Sequence, residues 1–115
     1  MTEAHHTSPY AIERRLLDLD RLIDEAHTEL REAEEEYHKA KATFEVEFAR
    51  AFMRADERNA DACKQSAVLA TADQRQALAI AEARVRAARG NTARLEQQVD
   101  ITRSVGRLVT SAMNL

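Results

Sequence analysis

The sequence predicts an all-α protein, a long antiparallel helical hairpin that assembles into a homo-oligomer. Its 115 residues include only two Gly and one Pro, and they are rich in Ala, Glu, Arg and Leu, which favour helices. Apolar residues recur at alternating spacings of three and four along two long segments, as they do in coiled coils. Breaking and capping residues collect between the segments, where a turn would bring two helices of similar length together.

The first helix is predicted over about 9–56, within a single helical-hairpin domain at 9–115. Ser8 is a good N-cap and Pro9 a good first helical residue, so residues 1–8 are expected to form a flexible tail. His5 and His6 lie in that tail and are not expected to bind a metal. The first apolar seam consists of Ile12, Leu16, Leu19, Ile23, Ala26, Leu30, Ala33, Tyr37, Ala40 and Phe44, and then continues at spacings of four through Phe48 and Phe52.

A turn and a short helix are predicted over about 57–70, followed by a second long helix over about 71–113. The stretch 56–61 contains several breaking and capping residues, and Thr71 with Gln74 has the spacing of a capping box. The second apolar seam consists of Leu78, Ala81, Val85, Ala88, Thr92, Leu95, Val99, Thr102, Gly106, Val109 and Met113.

The end of the second helix carries an additional apolar stripe, which predicts self-association. This C-terminal stripe consists of Ile101, Val105, Leu108, Ala112 and Leu115. One hairpin partner can cover only one of the two apolar faces, so the other is available to further copies of the chain. The candidate oligomer-interface residues are Ile101, Val105, Leu108, Val109, Ala112 and Met113.

Composition also narrows the class of protein. No Gly-rich phosphate loop, metalloprotease motif or nucleophile elbow is present, so an enzyme is not expected, nor is a cofactor or metal. Cys63 is the only cysteine and is expected to stay reduced in a cytoplasmic protein. No apolar run approaches the roughly 18 residues of a membrane span, and the N-terminus has no apolar signal core.

The charge is distributed unevenly along the chain. Residues 1–73 carry 10 basic and 17 acidic side chains, a balance of −7, and residues 74–115 carry 7 basic and 3 acidic ones, a balance of +4. Halves of opposite sign suit two antiparallel segments that lie against each other, or a basic face offered to a polyanion. The pattern favours the first explanation.

Cationic residues near the end of the first helix form the candidate nucleic-acid site. Arg50, Arg54 and Arg58 recur at spacings of four, and Lys64 follows in the short helix. Glu47 can neutralise Arg50 three residues later, whereas Arg54 has no such partner before Arg58. Clustered guanidinium groups that are partly unpaired suit phosphate binding. Because the neighbouring phenylalanines follow the first seam, we expect them to pack rather than to stack on bases.

A second set of arginines follows one side of the second helix and could track a nucleic-acid backbone. Glu82 precedes Arg86 by four residues and Asp100 precedes Arg103 by three, so local ion pairs could neutralise part of this line. Both interpretations stay open. The set consists of Arg75, Arg86, Arg89, Arg103 and Arg107.

Several segments together resemble small helical proteins of tailed bacteriophages and, more distantly, the UvsY-type recombination mediators. They are YHKAK at 37–41, AFMRAD at 51–56, KQSAVLATADQR at 64–75, AEA at 81–83, and Leu95 with VDITRS at 99–104. The resemblance spans roughly 12–108. It implies a hairpin whose C-terminal helices build a ring-like oligomer.

By the same resemblance, the protein would bind single-stranded DNA and help load a RecA-like recombinase against single-strand-binding protein. Basic residues at the end of the first helix would contact the DNA, namely Arg50 and Arg54, with Arg58 and Lys64 as looser matches. If the chain is phage-encoded, it would act in the host cell cytoplasm. The alternative is a coiled-coil protein-interaction module, a phage scaffold, chaperone or host-interaction adaptor, that does not bind nucleic acid.

Overall fold

The computed structural model describes residues 8–56 and 58–114. This part of the chain contains the helices α1 (Pro9–Arg54), α2 (Ala60–Ala70) and α3 (Ala72–Met113). It contains no strand, so the predicted all-α class is confirmed. Within the same residues, no helix is long and apolar enough to cross a membrane.

α1 begins where the capping residues predict. The Ser8 hydroxyl oxygen accepts a hydrogen bond of 3.1 Å from the N–H of Ala11, and the Ser8 carbonyl accepts from the N–H of Ile12 at 3.0 Å. These bonds satisfy donors that a helix otherwise leaves unpaired at its N-terminus. The predicted tail lies outside the described residues, apart from Ser8.

α1 ends at Arg54 rather than at the predicted residue 56. The N–H of Ala55 still donates to the carbonyl of Ala51 at 3.1 Å, but Ala55 and Asp56 are no longer helical. Arg58 therefore lies outside α1, and it does not extend the helical face that Arg50 and Arg54 share.

α2 begins at a side-chain cap. The backbone of Asn59 is extended, with φ −149°, and its Oδ1 accepts a 2.9 Å hydrogen bond from the N–H of Ala62. This interaction is the usual reason for Asn at the N-cap of a helix. The thiol of Cys63, one turn later, donates to the carbonyl oxygen of Ala55 at 3.6 Å and so joins α2 to the end of α1.

Thr71 joins α2 to α3, and the predicted capping box with Gln74 is wrong. The Thr71 hydroxyl donates to the carbonyl of Ala67 at 2.7 Å, which satisfies the end of α2 rather than the start of α3. The carbonyl of Thr71 accepts from the N–H of Arg75 at 3.0 Å, the first hydrogen bond of α3. Thr71 is only 2% exposed. Because a buried hydroxyl needs a hydrogen-bond partner, burial accounts for the bond to the carbonyl of Ala67.

The chain divides into two compact units. Unit 1 consists of the described residues up to Glu29 and those from Ala88 onward, and unit 2 consists of Leu30–Ala87. Each unit therefore contains a part of α1 and a part of α3, and α2 belongs to unit 2.

In unit 1 the two seams form a core of aliphatic side chains. Leu19 is fully buried and packs with Ala26 and Leu95. Towards the N-terminus of α1, a Cβ on Gly106 would lie 3.3 Å from the Cγ2 of Ile12. Further along α1, the Nε2 of His27 lies 3.8 Å from the Oε1 of Glu96. Further contacts within the core come from Leu22, Ile23 and Val99.

In unit 2 the buried positions are smaller. Ala67, Thr71, Ala81 and Val85 are buried, whereas none of the aromatic residues of the first seam is buried, and Phe52 is 37% exposed. Small residues allow helix backbones to approach closely, but each small side chain removes little apolar area from water.

Within each unit, the paired positions show that α1 and α3 run in opposite directions. In unit 2, Glu36 Oε2 accepts from Arg84 Nη1 at 2.9 Å, and Arg75 lies over the ring of Phe44, eight residues further along α1. Residues later in α1 thus contact residues earlier in α3, and the same holds in unit 1. A hairpin over the whole chain and its assembly with further copies stay predictions.

Candidate nucleic-acid interface

The four predicted DNA-binding cations lie around the junction of α1 and α2. Arg50 and Arg54 are in the last turns of α1, Arg58 is in the connecting segment, and Lys64 is in α2. All four side chains are exposed. The structure therefore leaves all four accessible to a ligand but distributes them over three elements.

Arg50 is partly neutralised, as its spacing predicts. Its Nη1 donates to the Oε1 of Glu47 at 3.1 Å, and the Arg50 side chain is 60% exposed. An exposed ion pair of this kind is weak, so Arg50 stays available to a phosphate that displaces Glu47.

Arg54, Arg58 and Lys64 differ from Arg50 in this respect. Within the described residues, none of the three forms an ion pair or a side-chain hydrogen bond. Asp56 and Asp61 are close in sequence and exposed, and they lower the local positive potential without a direct contact to these cations. The junction thus carries three accessible cations whose donors are free within the part of the chain that the structure describes; Glu57 lies outside it.

The phenylalanines beside these cations pack within unit 2. The rings of Phe44 and Phe48 lie 5.8 Å apart with an interplanar angle of 42°, and both residues are half-buried. The guanidinium carbon of Arg75 lies 5.0 Å from the centroid of the Phe44 ring, a cation–π contact. Arg75 covers a face of that ring, which agrees with the predicted packing role of Phe44 and opposes base stacking on that face.

No pattern in the sequence predicts this pairing. Arg75 and Phe44 are distant along the chain and belong to different helices. From the sequence, Arg75 was assigned only to the line of arginines on the second helix. Their contact depends on the alignment of α1 and α3, which three-four spacing leaves open by multiples of seven residues.

The arginines of α3 are less neutralised than their local spacing indicates. The ion pairs Glu82–Arg86 and Asp100–Arg103 are absent among the described residues. Arg107 instead donates to the Oγ of Ser104 at 3.1 Å. All five arginines of this line are exposed.

The predicted oligomer-interface residues are largely accessible. Ile101 is 57% exposed and Leu108 is 71% exposed, and Met113, at the end of the second seam, is 67% exposed. Ala112 is exposed, and Val105 and Val109 are half-buried. Leu115 lies outside the described residues. The C-terminal stripe is therefore exposed at Ile101, Leu108 and Ala112 and half-buried at Val105.

No group of three or more His, Cys, Asp or Glu side chains within the described ranges could hold a metal ion.

In comparisons with known proteins, no family model matches the chain, and neither a curated protein nor a solved structure matches it significantly.

Proposed function

We propose that this chain is a non-enzymatic protein that binds single-stranded DNA and acts as a bacteriophage recombination mediator. The observation that carries the DNA-binding part is the group of exposed, unneutralised cations at the junction of α1 and α2. These are Arg54, Arg58 and Lys64, with Arg50 beside them.

The chemistry of these cations suits a phosphate backbone. Guanidinium groups bind phosphate oxygens through paired N–H donors, and an ammonium adds a point charge. Binding that rests on phosphate contacts is independent of base sequence and weakens as salt rises. Four cations per chain would make few contacts, so each chain alone would bind weakly.

Self-association would multiply these weak contacts. Linking several sites on one strand can raise the overall affinity by about 10²- to 10⁴-fold without any new contact. The exposed C-terminal stripe offers a surface for that assembly. The resemblance to UvsY-type mediators supplies the remaining part of the proposal, loading of a RecA-like recombinase against single-strand-binding protein.

The DNA-binding part is tested by fluorescence anisotropy with a labelled oligothymidine at low and moderate salt. We expect binding at low salt that weakens as salt rises. Replacing Arg54 and Arg58 together by Ala should weaken binding and reduce the slope of log K against log salt by about 0.7 for each phosphate that is no longer bound. Arg50→Ala should have a smaller effect, because Arg50 already contacts Glu47.

The matched control is the double variant Arg14→Ala, Arg31→Ala. Both arginines are exposed and without an ion pair among the described residues, so the pair removes the same charge from another part of α1. Equal weakening by both double variants would show that net charge alone determines binding. No binding of the wild-type protein at low salt would overturn the proposal.

The mediator part needs a separate experiment. A RecA-like recombinase is added to single-stranded DNA that is already covered by single-strand-binding protein, and filament formation is followed through its DNA-dependent ATPase activity. We expect the wild-type protein to shorten the lag and the Arg54→Ala, Arg58→Ala variant to leave it long. DNA binding without any effect on the lag would retain the first part of the proposal and remove the second.

The second candidate function is a protein-interaction module, and large exposed apolar side chains on α1 and α2 favour it. Met53 is 84% exposed and Leu69 is 79% exposed, on the helices that flank the connecting segment. Replacing both by Ser should abolish capture of a protein partner from nuclease-treated lysate if this function is right. The same variant should retain DNA binding if the first function is right.

A further inference from the structure

A groove in unit 1 lies between the start of α1 and the end of α3. Its volume is about 710 Å³. Gly106 allows close approach at its floor, because a Cβ there would lie 3.3 Å from the Cγ2 of Ile12. Among the residues that line it are Pro9, Ile12, Leu16, Arg103, Gly106 and Arg107, and we refer to it as the arginine-rimmed groove.

The α3 side of this groove is positively charged. Arg103 and Arg107 are one turn apart on α3 and exposed. Within the described residues, Arg103 has no ion pair, and the one side-chain hydrogen bond of Arg107 is donated to the neutral Ser104 hydroxyl. Glu13 lies on the α1 side of the groove and has no ion pair within the same residues.

A neighbouring face of α1 carries the opposite charge together with exposed apolar side chains. Its members recur at spacings of three and four and are all exposed. Tyr10 is 69% exposed and Leu17 is 63% exposed. No carboxylate of this face forms an ion pair with a described residue. The face, called the acidic face below, consists of Tyr10, Glu13, Leu17, Asp20 and Asp24.

We propose that the acidic face of one chain docks on the arginine-rimmed groove of a second copy of the same chain. The apolar floor of the groove would receive Leu17, and Arg103 and Arg107 would meet Glu13 and Asp20 of the other copy. Because each chain carries both surfaces within unit 1, a two-fold axis can satisfy both at once, as in an isologous dimer.

Charge complementarity identifies a second copy as the occupant. The carboxylates of the acidic face repel a phosphate backbone, so a nucleic acid would be rejected by the α1 side of this contact. A chain with the same acidic face, in contrast, supplies a partner of the required sign for the two arginines. Exposed apolar residues rimmed by charges are typical of protein–protein contacts.

This contact is distinct from the C-terminal stripe and does not depend on DNA binding. At 3.6 residues per turn, Leu108 is about 140° around α3 from Arg103. The two surfaces can therefore be tested separately. The double variant Ile101→Glu, Leu108→Glu removes the apolar character of the stripe and leaves the groove unchanged.

The groove contact is tested in the Ile101→Glu, Leu108→Glu variant. Its solution mass is measured by light scattering or sedimentation at tens of micromolar protein. We expect a dimer. Adding Glu13→Lys and Asp20→Lys, or alternatively Arg103→Glu and Arg107→Glu, should give a monomer in each case, because like charges then face each other. An equimolar mixture of these two variants should restore a dimer, since each surface again meets its opposite.

The matched control is Glu32→Lys, Glu35→Lys in the same background. These carboxylates are exposed and without ion pairs among the described residues, and their reversal changes the net charge by the same amount as the reversal of Glu13 and Asp20. It should leave the dimer intact, and circular dichroism should show unchanged helix content in every variant. A monomeric background protein, or a mixture that stays monomeric, would overturn the inference and assign the groove to another occupant.

Discussion

The two units use the same three-four pattern of apolar residues, but they bury side chains of different size. In unit 1, Leu19 is fully buried and Leu95 is 6% exposed. In unit 2, the buried residues include Ala67 and Ala81, while Phe44 stays half-buried. Since the stabilisation from burial scales with the apolar area removed from water, we expect the unit 1 core to be the stronger of the two. The unit 2 junction, which carries the candidate cations, should open more readily.

The largest expected effect comes from the unit 1 core. Leu19→Ala should lower the free energy of unfolding by about 2 to 5 kcal/mol, the range for leucines in well-packed cores. Chemical denaturation followed by circular dichroism measures the change. Val46→Ala, also in α1 but 48% exposed, should change it by less than about 0.5 kcal/mol. Similar losses for both variants would contradict the assigned core.

A smaller loss is expected in unit 2. Phe44→Ala should cost about 2 kcal/mol, less than the roughly 3 to 5 kcal/mol of a fully buried phenylalanine, because its ring is only half-buried. Arg75→Ala, which removes only the cation over that ring, should cost less than about 1 kcal/mol. Denaturation midpoints of the two variants give both values. A loss for Phe44→Ala as large as that for Leu19→Ala would remove the distinction between the units.

The start of α2 should be sensitive to its cap. Asn59→Ala removes the acceptor for the N–H of Ala62 and should cost about 1 kcal/mol. Hydrogen exchange should show faster exchange of that amide, with little change in the amides of unit 1. Asn59→Asp should keep the cap and the stability, since aspartate accepts the same bond.

The smallest effects concern the two glycines of α3, both in unit 1. Gly90→Ala should raise the free energy of unfolding by about 0.5 to 1 kcal/mol through helix propensity, because an added Cβ meets nothing within 4 Å. At Gly106 the same gain is opposed by the 3.3 Å approach to Ile12, so its Ala variant should be close to neutral. Thermal unfolding compares the two, and a clear gain at Gly106 would show that the groove floor has room for a methyl group.

Local features of the structure followed well from the sequence. Ser8 caps α1 as predicted, and the first seam from Ile12 to Phe48 is buried or half-buried at every position. Such features depend on residues within one helical turn, whose spacing the chain itself sets. Of the candidate site, the spacing correctly predicted the Glu47–Arg50 pair.

Features that depend on burial or on contacts between distant residues did not follow from the sequence. Thr71 satisfies the end of α2 instead of forming a capping box, because it is buried beside Ala67. Within the part of the chain that the structure describes, Arg103 has no ion pair with Asp100 although their spacing allows one. Exposed pairs of this kind gain little free energy, so spacing alone does not decide whether they form.

The sequence by itself therefore determined the helices, the cap of α1 and most of the residues that face inward, because each follows from a period of 3.6 residues and from local hydrogen bonds. Only the tertiary structure decided that Arg75 lies over Phe44 and that a groove opens beside Gly106. The physical reason is the repeat itself. A heptad pattern permits several alignments of two helices, and the contacts between distant segments select one.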